Sequence, residues 1–237
     1  MTLGTTSGTY LFAPPVSNLV LEAFSRCLIR GTAITRRHMY EATQSINYVL
    51  TDWSNRGVNL WEVDLQTLAI TAGTPTYNLP VTTVTVLDVY RTVVDGGGAG
   101  QNIDNIMLPM SRTQYAMIPN KDEQGTPTLF WFNRQTTPQL TFWLVPNEGT
   151  PDFEISYYRL KRVMDANPVN GQIPEVPFWF SEALVSDLAA AIAEKFAPAL
   201  WKDKVNKARD AWNRAISIDQ ENAPMEVRPL LNNYWPS

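Results

Sequence analysis

The clearest amphipathic period in the chain runs through residues 35–61, TRRHMYEATQSINYVLTDWSNRGVNLW. Met39, Ala42, Ile46, Val49 and Trp53 recur at alternating spacings of three and four, which places them on one face of a helix. Arg37, Glu41, Gln44, Thr51 and Asp52 fall mostly on the other faces. Thr35 can offer a side-chain oxygen to a free N–H of the first turn. Gly57 stands where a helix favours a left-handed residue, and Arg56 before it suits the negative end of the helix dipole. An earlier helix is expected from Ser17 to about Arg30, with Val20, Ala23, Phe24, Cys27 and Leu28 along one face and Gly31 ending it.

After residue 62 the period becomes strand-like. Val63 and Leu65 share one parity while Leu68, Ile70 and Ala72 share the other, which predicts a bulge near Gln66 and Thr67. Residues 72–75 read as a turn and 76–79 as a short return strand. The run TTVTVLDVYRTVV (82–94), dense in β-branched residues, is the strongest strand signal, and the glycine-rich stretch 95–100 follows as a loop tip. A short strand at 106–110 precedes one or two helical turns capped by Ser111 and stopped at Pro119. Residues 129–134 and 140–145 read as a hairpin, and 153–162 as a further strand. The middle region thus holds six or seven strands by pattern, suited to a small antiparallel sandwich or barrel.

Helical periodicity returns after residue 176. Leu184, Leu188, Ala191, Ile192 and Phe196 form one stripe, and Pro198 breaks the helix. The next helix, about 200–221, carries Trp201, Val205, Ala208, Trp212 and Ala215 at spacings of four, three, four and three. A short connection and matching stripes predict an antiparallel helix pair. The expected fold is therefore α+β: an antiparallel four-helix bundle formed by the N- and C-terminal helices, with an inserted antiparallel β domain and extended termini. Its divisions are an arm at 1–16, the bundle at 17–61 and 176–221, the β domain at 62–165, and a C-terminal arm at 222–237. That last arm has no period, yet Leu230, Leu231, Tyr234 and Trp235 are costly to leave in water. Such a segment either folds back on its own core or docks on a partner.

The chain has 237 residues, 44% hydrophobic and 18% charged, which is a globular composition with a low share of charge. Aromatic residues reach 11%, including Trp 8, a content that fits either a tryptophan-rich core or extensive protein–protein contact. A net charge of −4 argues against wrapping nucleic acid by phosphate neutralisation, although a mildly acidic wall can line a DNA passage without holding it. Cys27, the single cysteine, rules out an intrachain disulfide and fits a reducing cytoplasm. No apolar run approaches the ~20 residues that span a bilayer, so no membrane partner is expected. The start of the chain lacks the basic and apolar regions of a secretion signal.

Candidate chemistry is sparse. His38 is the one histidine; Arg36 and Arg37 flank it and no orienting carboxylate does, so a surface helix residue is expected rather than a triad base. One cysteine and one histidine exclude the usual zinc sites, and no cofactor is called for. The stretch 95–100 lacks the spaced glycines, lysine and following helix of a phosphate loop. Cys27 reads as a small core residue. Paired carboxylates for glycoside cleavage have formal candidates in Glu182 with Asp187, or Glu154 with a partner across the sheet, but five residues along a helix separate the first pair onto different sides. Basic residues gather at Arg159, Lys161 and Arg162, and again at Lys202, Lys204, Lys207, Arg209 and Arg214. Arg159 and Lys161 share a strand face and are candidates to meet acidic groups of an adjacent subunit, as are Lys204 and Arg209 on a solvated or pairing helix face.

The helix end L-x-x-W-x-x-x-G-x-x-L-W, here Leu50, Trp53, Gly57, Leu60 and Trp61, resembles the head-to-tail adaptors of short-tailed bacteriophages. The likeness continues in order through LAITAGTPTYNLP (68–80), LPMSRTQYAMIPN (108–120), GTPTLFWFNRQ (125–135), YYRLKRV (157–163), the helix after VPFWF (176–180) and the final helical segment. It covers roughly 28–228. The resemblance implies a structural virion protein, not an enzyme, assembled in the host cytoplasm as a homo-oligomeric, dodecameric ring at the tail's portal vertex. Its implied partners are the portal protein, distal nozzle, fibre or needle proteins, and viral DNA passing without sequence-specific binding. Leu230, Leu231, Tyr234 and Trp235 would then be the docking arm. The longer N-terminal arm and the loop at 94–105 depart from the family pattern. Rival readings are a peptidoglycan-degrading tail hydrolase and a monomeric glycan-binding β domain using surface tryptophans.

Overall fold

A computed structural model describes residues 8–9, 12–57, 60–93, 103–150, 153–167 and 171–219. The expected glycine-rich tip, most of the N-terminal arm, and the whole C-terminal arm with Leu230, Leu231, Tyr234 and Trp235 lie outside the described residues. The class is mixed α+β, as the pattern implied.

Two helices open the described chain, α1 (Val16–Arg26) and α2 (Arg36–Asn55). Pro15, not Ser17, precedes α1, and the helix ends four residues before Arg30. Leu28 takes the left-handed role expected of a glycine, with φ 62°, while Ile29 N–H bonds back to Phe24 O at 3.0 Å. Thr35 does cap α2: its Oγ1 accepts from His38 N, and His38 Nδ1 accepts from Thr35 N. Gly57 follows with φ 141°.

The chain returns to helix in α4 (Ser181–Phe196) and α5 (Pro198–Ile216), after a sheet and the six-residue α3 (Arg112–Met117). α4 is the hub, packed against α1, α2 and α5. It is covered far beyond the single predicted stripe: Ala183, Leu184, Val185, Ser186, Leu188, Ala189, Ala190, Ile192 and Ala193 are all buried. Its alanines let neighbours approach from several sides, so a stripe of large residues understates its burial. On α5 the buried residues are Ala208, Ala211 and Ala215. Trp201 and Val205, expected on the packed stripe, are instead 45% and 40% exposed. Trp53, Phe180 and Trp212 meet at the centre with ring centroids 5.0 to 5.5 Å apart.

Between the helices lie β1 (Val63–Leu68), β2 (Thr76–Asn78), β3 (Thr83–Val93), β4 (Ile103–Pro109), β5 (Gln124–Gly125), β6 (Leu129–Asn133), β7 (Gln139–Trp143), β8 (Val145–Pro146) and β9 (Phe153–Lys161). Seven form one curled sheet in the order β1-β9-β3-β4-β6-β7-β2, and β5 pairs with β8. The wholly antiparallel sheet expected from sequence is not found: β4 and β6 run parallel where Leu108 meets Leu129. The predicted bulge in β1 is absent: β1 pairs with β9 unbroken from Val63↔Leu160 to Leu68↔Ile155. The irregularities lie in β3, between Thr83 and Thr85 and between Val86 and Val89. The parity change arises because Leu65 points outward, 47% exposed.

Two apolar clusters result. One joins the helices; the other, around Val89, Met107, Phe130, Leu140, Phe142, Ile155 and Tyr157, fills the inner face of the sheet. The chain leaving β9 contributes Val163 and Ala166 to the helical cluster. There Asn47 of α2 accepts from Ala166 N at 2.8 Å and donates to Ala166 O at 3.1 Å. Buried backbone groups need such partners, and one amide serves both.

Candidate functional site

Glu154 lies on β9 opposite Thr92, and the other candidate catalytic groups are engaged among the helices. Arg26 of α1 grips both oxygens of Glu182 on α4, at 2.7 and 2.8 Å, and reaches Glu22 at 3.0 Å. The Arg26 hydrogen bond holds the Glu182 carboxyl below its usual range, and Glu182 in turn raises Arg26. Asp187 has different company: Trp53 Nε1 donates to it at 2.6 Å and Arg56 lies 3.6 Å away. Burial pushes its carboxyl up, while Trp53 and Arg56 pull it down. The two carboxylates thus face separate partners, without the shared cleft that acid–base cleavage requires. Cys27 is buried, with Sγ 3.2 Å from Ala189 O and its thiol pKa raised by burial. His38 caps α2 and packs edge-on against Phe24 and Phe196. Among the described residues, no group of three or more His, Cys, Asp or Glu is placed to hold a metal ion.

The proposed subunit-contact cations are placed differently from one another. Arg159 is buried and turned into its own sheet, with Nε 2.7 Å and Nη2 3.1 Å from the two Asp64 oxygens. Its Nη1 also reaches the hydroxyls of Thr82 and Thr83, so one guanidinium ties β9 to β1 and to the start of β3. That hydrogen bonding holds Asp64 below the ordinary carboxylate range. Lys161 pairs with Glu175, whose other oxygen accepts from Met164 N at 3.2 Å. Lys204 is largely covered, whereas Arg209 is exposed on α5 with Nη2 3.5 Å from Asn206.

Large apolar side chains stand uncovered on several elements, among them α5 and the outer face of the sheet. On α5, Trp201 and Val205 stand one turn apart, and Val205 and Arg209 rim a groove of about 370 Å³ with Arg56, Asp187, Ala190 and Trp212. On the outer face of the sheet, Leu65, Tyr158, Ile106 and Leu108 are 47, 40, 70 and 61% exposed. Sequence reasoning missed the second surface, although the shared parity of Ile106 and Leu108 in β4 was its available signal. Among the described tryptophans only Trp201 is exposed. Trp131 stacks on Tyr115 at 5.2 Å and Trp143 donates to Asn120 O at 3.3 Å, so these rings are engaged within the chain.

The chain matches the model of the SU10 adaptor protein family over residues 20–228, from within α1 past the end of α5. It belongs to that family. It is a bacteriophage adaptor, a structural protein of tail assembly, and the ordered motifs from Leu50 onward carry the same conclusion. No curated protein matches the chain. Among the described residues no helix of the adaptor is long and apolar enough to cross a membrane.

Proposed function

We propose that this adaptor assembles as a ring beneath the portal protein, extends the DNA channel and offers its far side to nozzle, fibre or needle proteins. The observation that carries the proposal is the pair of uncovered apolar surfaces in a member of the adaptor family, on α5 at Trp201 and Val205 and on the sheet at Ile106 and Leu108. The ring is dodecameric, DNA passes through it without sequence-specific binding, and assembly occurs in the host cytoplasm before the protein takes its place in the virion tail. The helices act as one antiparallel four-helix unit (17–61 and 176–221) for lateral and portal contacts, and the β unit (62–165) faces the next tail component. Arg209, exposed on α5, contributes to lateral contacts, and Lys204 lies beneath that surface. Leu230, Leu231, Tyr234 and Trp235 dock on the portal or a neighbouring subunit, where anchors of this type commonly contribute ~2 kcal/mol or more each.

The deciding experiment is the solution mass of the purified protein, alone and with its cognate portal. A monomer that becomes a ring on the portal supports a templated adaptor. A monomer indifferent to the portal overturns the proposal. Removing residues 230–237 should leave a folded protein that no longer joins the portal; an unfolded product would assign the arm to the core instead.

A further inference from the structure

The outer face of β1, β9, β3 and β4 can be mapped from the pairing register. Leu65 stands opposite Tyr158, and Tyr90 stands opposite both Ser156 and Ile106. Tyr158 shares the parity of Ser156, and Leu108 that of Ile106, so all lie on one face. The rings of Tyr90 and Tyr158 are 6.3 Å apart. One pair further along, Thr92 stands opposite both Glu154 and Asp104, and its hydroxyl donates to Asp104 at 2.7 Å. The face is therefore an apolar and aromatic band bordered by a row carrying two carboxylates. The extensive contacts of these strands are with one another and with β6. A sheet packed on one side normally turns polar residues to water on the other; this face carries Leu65, Tyr158, Ile106 and Leu108 exposed among its polar residues.

A complementary surface exists on the same molecule. On α5, helical periodicity puts Lys202 and Arg209 beside Trp201 and Val205, and Arg56 shares the groove that Val205 and Arg209 rim. That surface is apolar and aromatic with the cations Lys202 and Arg209 beside it, while Arg56 in the groove is paired with Asp52 and lies near Asp187. Band and groove thus match in apolar character and oppose in charge, the arrangement that gives an interface its register and partner choice. Because the two surfaces differ, a contact between copies through them is head to tail, and repetition by rotation closes a ring.

We propose that the outer face of β1-β9-β3-β4 receives the Trp201–Arg209 surface of α5 from a second copy of this chain. The proposal rests on the ring reading above and names its lateral interface. Ile106 and Leu108 meet Trp201 and Val205, while Asp104 and Glu154 meet Arg209 and Lys202.

The test places single cysteines on the two surfaces, Ile106→Cys and Val205→Cys, each in a Cys27→Ser background, and mixes them with and without portal under mild oxidation. The expected result is a mixed disulfide between the two variants and none within either variant alone. A ring that forms without the mixed disulfide, or either variant linking to itself, overturns the interface and leaves the ring intact. A monomer under both conditions overturns the interface and the ring together. Charge reversal provides an independent reading should a cysteine variant misfold. Asp104→Lys and Arg209→Glu should each weaken assembly about fivefold at low salt, and the chain carrying both should assemble as the wild type does. Trp201→Ala should raise the concentration for half-assembly about thirtyfold with the monomer's melting temperature unchanged. No rescue by the double reversal together with no effect of Trp201→Ala would also overturn the interface.

Discussion

The indole N–H of Trp53 on α2 donates to a carboxylate oxygen of Asp187 on α4, 2.6 Å away, inside the helical core. It couples the most distinctive residue of the sequence pattern to a half-buried acid whose pKa is raised by desolvation. The native state therefore keeps the Asp187 proton to higher pH than the unfolded chain does. The stability linked to that proton is complete below the unfolded value and is lost as pH rises through the folded one. Asp187→Asn retains an acceptor for the indole without the buried charge, and should be at least as stable as the wild type at neutral pH, with a flatter pH profile. Asp187→Ala strips the acceptor and should cost about 1–3 kcal/mol. Thermal melts of the three proteins from acid to neutral pH check both.

Arg159 predicts a pH dependence of opposite sign. It lowers the Asp64 pKa, so its contribution is present above the ordinary aspartate range and disappears as pH falls through the lowered folded value. Arg159→Leu leaves Asp64 and the hydroxyls of Thr82 and Thr83 without the guanidinium that served all three. Arg159 is covered but Asp64 keeps contact with solvent, so breaking the pair should cost about 1–3 kcal/mol. Denaturant unfolding should show the loss at neutral pH and its shrinkage in acid.

Asn47 links α2 to the segment that leaves the sheet, through two hydrogen bonds to Ala166. Asn47→Ala removes both and leaves a backbone N–H and carbonyl unserved. A loss of about 1–3 kcal/mol is expected. Limited proteolysis should then cut between residues 162 and 175 sooner than in the wild type.

Gly149 is set by close approach, not by backbone sign. A Cβ there would sit 2.7 Å from Ile70 O, and Thr150 N–H binds that same carbonyl at 3.0 Å. Gly149→Ala must displace the backbone and should cost about 1–3 kcal/mol, read as a lower melting temperature.

Sequence by itself determined what is local. The cap at Thr35, the stripe ending at Trp53, the cap at Ser111 and the hairpin of β6 and β7 each depend on residues a few positions apart, whose chemistry is written along the chain. The family was equally legible, because ordered motifs survive without knowledge of how they pack. Tertiary structure decided what depends on several partners at once. α4 is enclosed because its alanines admit neighbours from several sides, and periodicity counts large residues only. Trp201 and Val205 lie off the covered face of α5, and Leu65 turns outward from an unbroken β1, since burial follows the position of other elements rather than the residue's own hydrophobicity. Arg159 points inward for the same reason: Asp64, Thr82 and Thr83 converge on it only when three strands have been brought side by side.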